Sequence, residues 1–175
     1  MTDTPPWTPP LRLNELDHGK VTRRVVADEA ARARIASALD LINLPLLEAD
    51  LTISPWLDGA MVEGAWRARI EQTCGVTLDP FETELADRFT VRLLPAETLA
   101  LEQVREVEID PNADDPPDPI EGGRIDLGAL VVEHLALEID PFPRKPGVVF
   151  EPPAGGEPPS PFAALRDFKA KGEEG

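Results

Sequence analysis

One cysteine in 175 residues leaves Cys74 nothing to pair with, so no internal disulfide framework holds this chain together. The two histidines, His18 and His134, lie far apart in sequence. With a single cysteine they fall short of the roughly four ligands that a structural metal needs. No apolar run approaches the roughly 20 residues of a membrane-spanning helix. The opening MTDTPP lacks the basic start and apolar core of a secretory signal, so a cytoplasmic location is expected. A Walker loop, a Rossmann fingerprint, G-x-S-x-G and H-E-x-x-H are all missing, and no internal repeat is found. These gaps remove the common enzyme signatures. The expectation is a protein without catalytic residues, resident metal or cofactor.

Basic charge is the other shortage. The chain has 17 Lys and Arg against 33 Asp and Glu, a net charge of −16. Proteins that bind nucleic acid draw most of their non-specific affinity from phosphate neutralisation, and a field of this sign repels phosphate. The acid is uneven. Residues 101–125 hold 2 basic against 8 acidic side chains, whereas residues 1–100 hold 10 against 16. Local positive patches therefore remain open to the fold.

What is present is enough for one folded domain. A hydrophobic content of 42% is near the globular norm and argues against wholesale disorder. The twenty prolines cluster at the N-terminus and in two later segments. Residues 1–19 read as a loose arm with Trp7 as its large anchor. Residues 20–27, KVTRRVVA, read as a strand from their β-branched side chains. Asp28 is placed to cap a helix whose apolar face is Ala31, Ile35, Ala38, Leu39 and Ile42, ended by Pro45.

From Leu46 the period changes to two. Leu47, Ala49, Leu51 and Ile53 alternate with polar neighbours, as on a half-buried strand. Asp58-Gly59 signals a hairpin. The next strand puts Val62, Trp66, Ala68 and Ile70 on one face, with Glu63, Arg67, Arg69 and Glu71 on the other. Residues 81–94 form a third strand with Phe89, Val91 and Leu93 inward. Residues 99–107 fit a short helix or a strand equally. Residues 110–119, with Asp114, Asp115 and Asp118 among four prolines and other small or acidic side chains, read as an exposed acidic loop.

Asp126 is then placed to cap a helix in which Leu127, Leu130, Val131, His134 and Leu135 form one stripe, widened by Val132 and Leu137. Asp140-Pro141 stops it, and a proline-stiffened peptide carrying Arg144 and Lys145 follows. Residues 151–175 read as a flexible segment with a short amphipathic helix built on Phe162, Leu165 and Phe168. The fold class expected is α+β: an antiparallel meander covered by two helices within residues 20–150, with a flexible acidic loop and C-terminal tail.

Three stretches also carry a resemblance. QTCGVTLDPF at residues 72–81, DLGALVVEHLALEIDPFPRKPG at residues 126–147 and PFAALRDFK at residues 161–169 occur in the order found in one family. Over roughly residues 21–169 the chain resembles the YceD-like large ribosomal RNA subunit accumulation proteins, formerly a domain of unknown function. The resemblance implies a role in the production or stability of large-subunit ribosomal RNA, and brings no established catalytic residues. The family often has Cys-x-Arg-Cys-Leu where this chain has Cys74, Val76, Thr77 and Leu78, so only the first cysteine matches.

The candidate binding residues divide by sign. Arg67, Arg69, Arg92, Arg144 and Lys145 would meet RNA or a partner, unless the strand arginines pair with Glu63, Glu71 and Glu84. Asp114, Asp115 and Asp118 would form an acidic partner surface. The expected function is a non-enzymatic ribosome-assembly factor acting in the cytoplasm on the pre-ribosomal large subunit. Its partner would be a basic ribosomal protein or an rRNA-processing factor, held on an acidic adaptor surface. Direct rRNA binding through a local arginine patch is the alternative, and a metal-dependent RNA-processing nuclease a third.

Overall fold

The computed structural model describes residues 7–102 and 116–150. In chain order these form β1 (Leu11–Arg12), a 3-10 turn (Leu13–Leu16), β2 (Val21–Val26), α1 (Glu29–Ala38), β3 (Asn43–Trp56), β4 (Gly59–Thr73), β5 (Pro80–Pro95), α2 (Ala96–Glu102), β6 (Asp118–Ile120), β7 (Arg124–Ile125) and α3 (Leu127–Glu138). The main sheet has the order β2-β3-β4-β5-β6. Its first four strands are antiparallel neighbours. β6 returns parallel to β5, pairing Leu93 with Asp118 and Pro95 with Ile120. The α+β class is as expected, but the sheet is mixed, and three helices accompany it among the described residues.

Alternation gives this sheet its two faces. Leu47, Ala49, Leu51 and Ile53 of β3 are buried, as are Val62, Trp66, Ala68 and Ile70 of β4 and Phe89 and Leu93 of β5. Ala31 and Ile35 of α1 and Leu127, Val131 and Leu135 of α3 join them in one cluster. Both long helices start from an aspartate. Asp28 accepts from the Ala31 N–H at 2.7 Å and Asp126 from the Ala129 N–H at 2.9 Å, each satisfying an orphan donor of the first turn.

Several expectations change at the ends of elements. α1 stops at Ala38 rather than running to Ile42. Asp40 adopts a left-handed φ of 55°, and the Leu41 N–H reaches back to the Ala36 carbonyl at 2.9 Å, a Schellman closure that ends the helix before proline is met. Ile42 is then exposed and donates its N–H to Glu71 O. The β3–β4 hairpin turns on Leu57-Asp58, because Trp56 already pairs with Gly59. Gly59 is needed inside the strand instead: a Cβ there would stand 2.0 Å from the Leu93 carbonyl oxygen.

The stretch expected to be a loose arm is tied down from Trp7 onward. Leu11 and Leu16 are buried, β1 pairs with β7 through Leu11 and Ile125, and Trp7 lies against α3 where Gly128 leaves room for its indole. Residues 110–115 of the expected acidic loop lie outside the described residues, as does the segment 151–175. The end of that loop is a strand, since Asp118 and Pro119 belong to β6. Residues 99–107 are helical as far as Glu102. Among the described residues no helix is long and apolar enough to cross a membrane.

On α3 the stripe is narrower than its sequence suggests. Val131 and Leu135 are fully buried, Leu130 is half-buried, and Leu137 is 74% exposed. Val131→Asp should therefore cost roughly 3 kcal/mol or more by burying an unpaired charge. Leu137→Asp should stay within about 0.5 kcal/mol of the parent. Urea denaturation of the two variants checks the pair.

Candidate interaction surface

The face of the sheet turned away from the core is polar. Its rows are Thr22 and Arg24 on β2; Glu48, Asp50 and Thr52 on β3; Glu63, Ala65, Arg67 and Arg69 on β4; and Glu84, Ala86, Arg88, Thr90 and Arg92 on β5. Their order follows from the period-two alternation that buries the other set. Ala65 and Ala86 are small, so the middle of the face sinks into a shallow depression of about 620 Å³ bordered by Arg24, Glu48, Asp50, Arg67 and Arg88.

Glu48 is the centre of charge on this face. It lies directly opposite Arg67, whose Nε donates to its Oε1. Arg24 reaches its Oε2 at 3.4 Å from the other side. The side chain of Glu48 is only 14% exposed. Its pKa lies below the usual carboxylate value, first because of the Arg67 hydrogen bond, with burial opposing and the charges of Arg67 and Arg24 adding to the fall. Arg69 is held at 3.1 Å by Glu84, its cross-strand neighbour. Of the three acids expected to neutralise these arginines, Glu84 does so; the larger share falls to Glu48.

The five candidate cations do not form one patch. Arg67 and Arg69 are adjacent on the open face. Arg92 sits opposite Met61, eight residues further along β4 from Arg69, or about 26 Å. There its guanidinium lies 5.7 Å from the Trp56 ring centroid. Arg144 and Lys145 are exposed in the peptide after α3. They stand at the end of the sheet where β4 turns into β5, because Gly75 N–H donates to Pro143 O at 2.8 Å. Arg24 also joins this face, as does Arg88, which was not singled out in sequence although the alternation through residues 82–92 was its signal. Of the acidic candidates, Asp118 is exposed on β6, and Asp114 and Asp115 lie outside the described residues.

Cys74 occupies the same turn. It is fully buried, and its Sγ accepts from the Lys145 N–H at 3.4 Å and the Val76 N–H at 3.5 Å. These donors favour the thiolate. The thiol is held down to about 6, chiefly by the Lys145 N–H, then by Thr77 and Val76, with burial pulling the other way. Cys74 thus clamps the Arg144-Lys145 peptide to the sheet. His134, on the stripe of α3, stacks on Phe89 with ring centroids 4.1 Å apart. Among the described residues no group of three or more His, Cys, Asp or Glu gathers to hold a metal ion.

These features define an α+β domain with an open, ion-paired sheet face. The chain belongs to the family of the large ribosomal RNA subunit accumulation protein YceD, whose model matches residues 62–169, more than half of its length. That span takes in β4, β5, α3 and the Cys74 turn. No curated protein and no solved structure matches the chain.

The thiolate gives a pH test. A thiol whose folded pKa is depressed contributes stability that is complete above its unfolded value and is lost as pH falls through the folded one. Thiolate absorbance near 240 nm should titrate with a midpoint of about 6. Cys74→Ala should remove that step and flatten the rise in stability between about pH 6 and the ordinary thiol value of about 8.5.

Proposed function

We propose that this protein supports accumulation of large-subunit ribosomal RNA without catalysis, as an acidic adaptor that holds a basic ribosomal protein or processing factor. Family membership supplies the link to large-subunit rRNA. One observation carries the choice of mechanism: Arg24, Arg67 and Arg69, the cations nearest to forming a phosphate site, are already engaged by Glu48 and Glu84. A phosphate arriving there would have to displace the carboxylates that hold these three arginines. Meanwhile the chain as a whole carries −16, which steers basic partners in and phosphates away.

Naked rRNA fragments should hardly bind at physiological salt, whereas a basic large-subunit protein should bind. Changing Asp114, Asp115 and Asp118 to Asn should weaken that complex, mainly through an association rate lowered about threefold or more. Stopped-flow measurements across a salt series read both effects. Tight, salt-sensitive binding of naked rRNA that disappears in Arg67→Glu with Arg69→Glu would establish the direct RNA reading instead.

A further inference from the structure

β5 is paired along its whole length on one side only. Toward β4 its register runs unbroken from Pro80 opposite Thr73 to Leu93 opposite Ala60. Among the described residues, its outer side pairs with β6 alone, at Leu93, Leu94 and Pro95. Among the described residues, none of 81–91 makes a backbone hydrogen bond beyond the sheet. Eleven residues, about 36 Å of strand, therefore present unused N–H and C=O groups along one line.

Edges of this kind are normally blunted by proline, a bulge, a short strand or inward-pointing charge. Residues 81–91 contain no proline, and β5 shows no register shift against β4. The opposite edge, β2, is only six residues long and carries the adjacent Arg23 and Arg24. The bare edge of β5 is thus the longer and the more open of the two.

We propose that this edge receives an extended basic segment of the partner as an added strand, in line with β6; the proposal rests on the adaptor reading above. Backbone pairing supplies affinity in strand addition, and side chains on alternating faces supply the choice of ligand. The charge along the edge makes that choice. Glu82, Glu84 and Asp87 are exposed there against the single Arg88. At the β6 end, Asp118 and Glu133 line a hollow with Thr90, Val91, Arg92 and His134, two acids against one cation. Lysines and arginines spaced two apart would meet Glu82, and Glu84 in competition with Arg69, on the open face, and their neighbours would meet Asp87 on the other. A second copy paired edge to edge fits less well, since it would set Glu82, Glu84 and Asp87 against the same acids.

The test uses the full-length protein and three labelled twelve-residue peptides: alternating Lys and Thr, alternating Lys and Pro, and alternating Glu and Thr. Fluorescence anisotropy reads binding and hydrogen–deuterium exchange reads the edge. The Lys-Thr peptide should bind, and amides within residues 81–91 should then exchange at least tenfold more slowly, with β2 unchanged. The Lys-Pro peptide has the same charge but keeps an N–H only on its lysines and favours the polyproline conformation over a pleated strand, and should bind at least tenfold more weakly. The Glu-Thr peptide should not bind. Glu82→Lys with Asp87→Lys should weaken the Lys-Thr peptide at least tenfold while the circular dichroism spectrum stays that of the parent.

Binding without slower exchange in residues 81–91 overturns the edge. If that binding is also lost when Asp114, Asp115 and Asp118 become Asn, the adaptor reading survives on its own. Failure of both basic peptides overturns the two together. Protection of the same amides that rises with protein concentration, in the absence of peptide, would assign the edge to a second copy and overturn the proposal.

Discussion

Every helix residue that enters the core does so on one face of the sheet, and the rest of the structure follows from that. A strand buried on one side must alternate, so each inward Leu, Ile or Val commits its neighbours to the opposite face. β3, β4 and β5 run for 14, 15 and 16 residues, and the open face is correspondingly long. It cannot be left apolar without becoming sticky. It is therefore charged, and charges of one sign on adjacent strands would repel. The Glu48 arrangement meets that constraint: one half-buried carboxylate between two arginines joins β2, β3 and β4 across the face.

The alternation was legible in the sequence because it is a strictly local signal. Leu47 to Ile53 and Val62 to Ile70 declare their buried sides without reference to any partner. Asp28 and Asp126 were legible for the same reason, since a cap is satisfied within three residues. Ion pairing was only half legible. Arg69 and Glu84 could be guessed as partners, but matching Arg67 to Glu48 rather than Glu63 needs the register of β3 against β4, which a hairpin misread by one residue would change. The turn in fact uses Leu57-Asp58, and Gly59 was misread because its role lies in the distant Leu93 carbonyl. A glycine that permits close approach and one that permits a turn look alike in sequence.

Long-range ties were the least visible. Nothing near Trp7 says that it will rest on Gly128, and nothing near Asp118 says that β6 will join β5 in parallel. Both depend on chain returning from far away. Cys74 belongs here as well. Seen alone it is a lone thiol, but the Pro143 and Lys145 backbone closes over it and fixes where the exposed Arg144 and Lys145 stand. The family match begins at Val62 and runs past this contact, so it takes in both halves of the clamp.

The electrostatic argument then turns on location rather than on total charge. At physiological ionic strength charges act over about 8 Å, so −16 spread over the chain does not by itself decide what any one surface binds. The open face is close to neutral, because acids and arginines are nearly equal in number there and Arg24, Arg67 and Arg69 are held by carboxylates. The surplus acid lies elsewhere, much of it in residues 101–125, which connect β5 to β6 and run on into α3. Asp118 stands where that connection rejoins the sheet, beside the free edge of β5. Backbone groups that lack partners and carboxylates that lack arginines therefore occur together at one border of the molecule. A basic chain in extended form satisfies both, and nucleic acid satisfies neither.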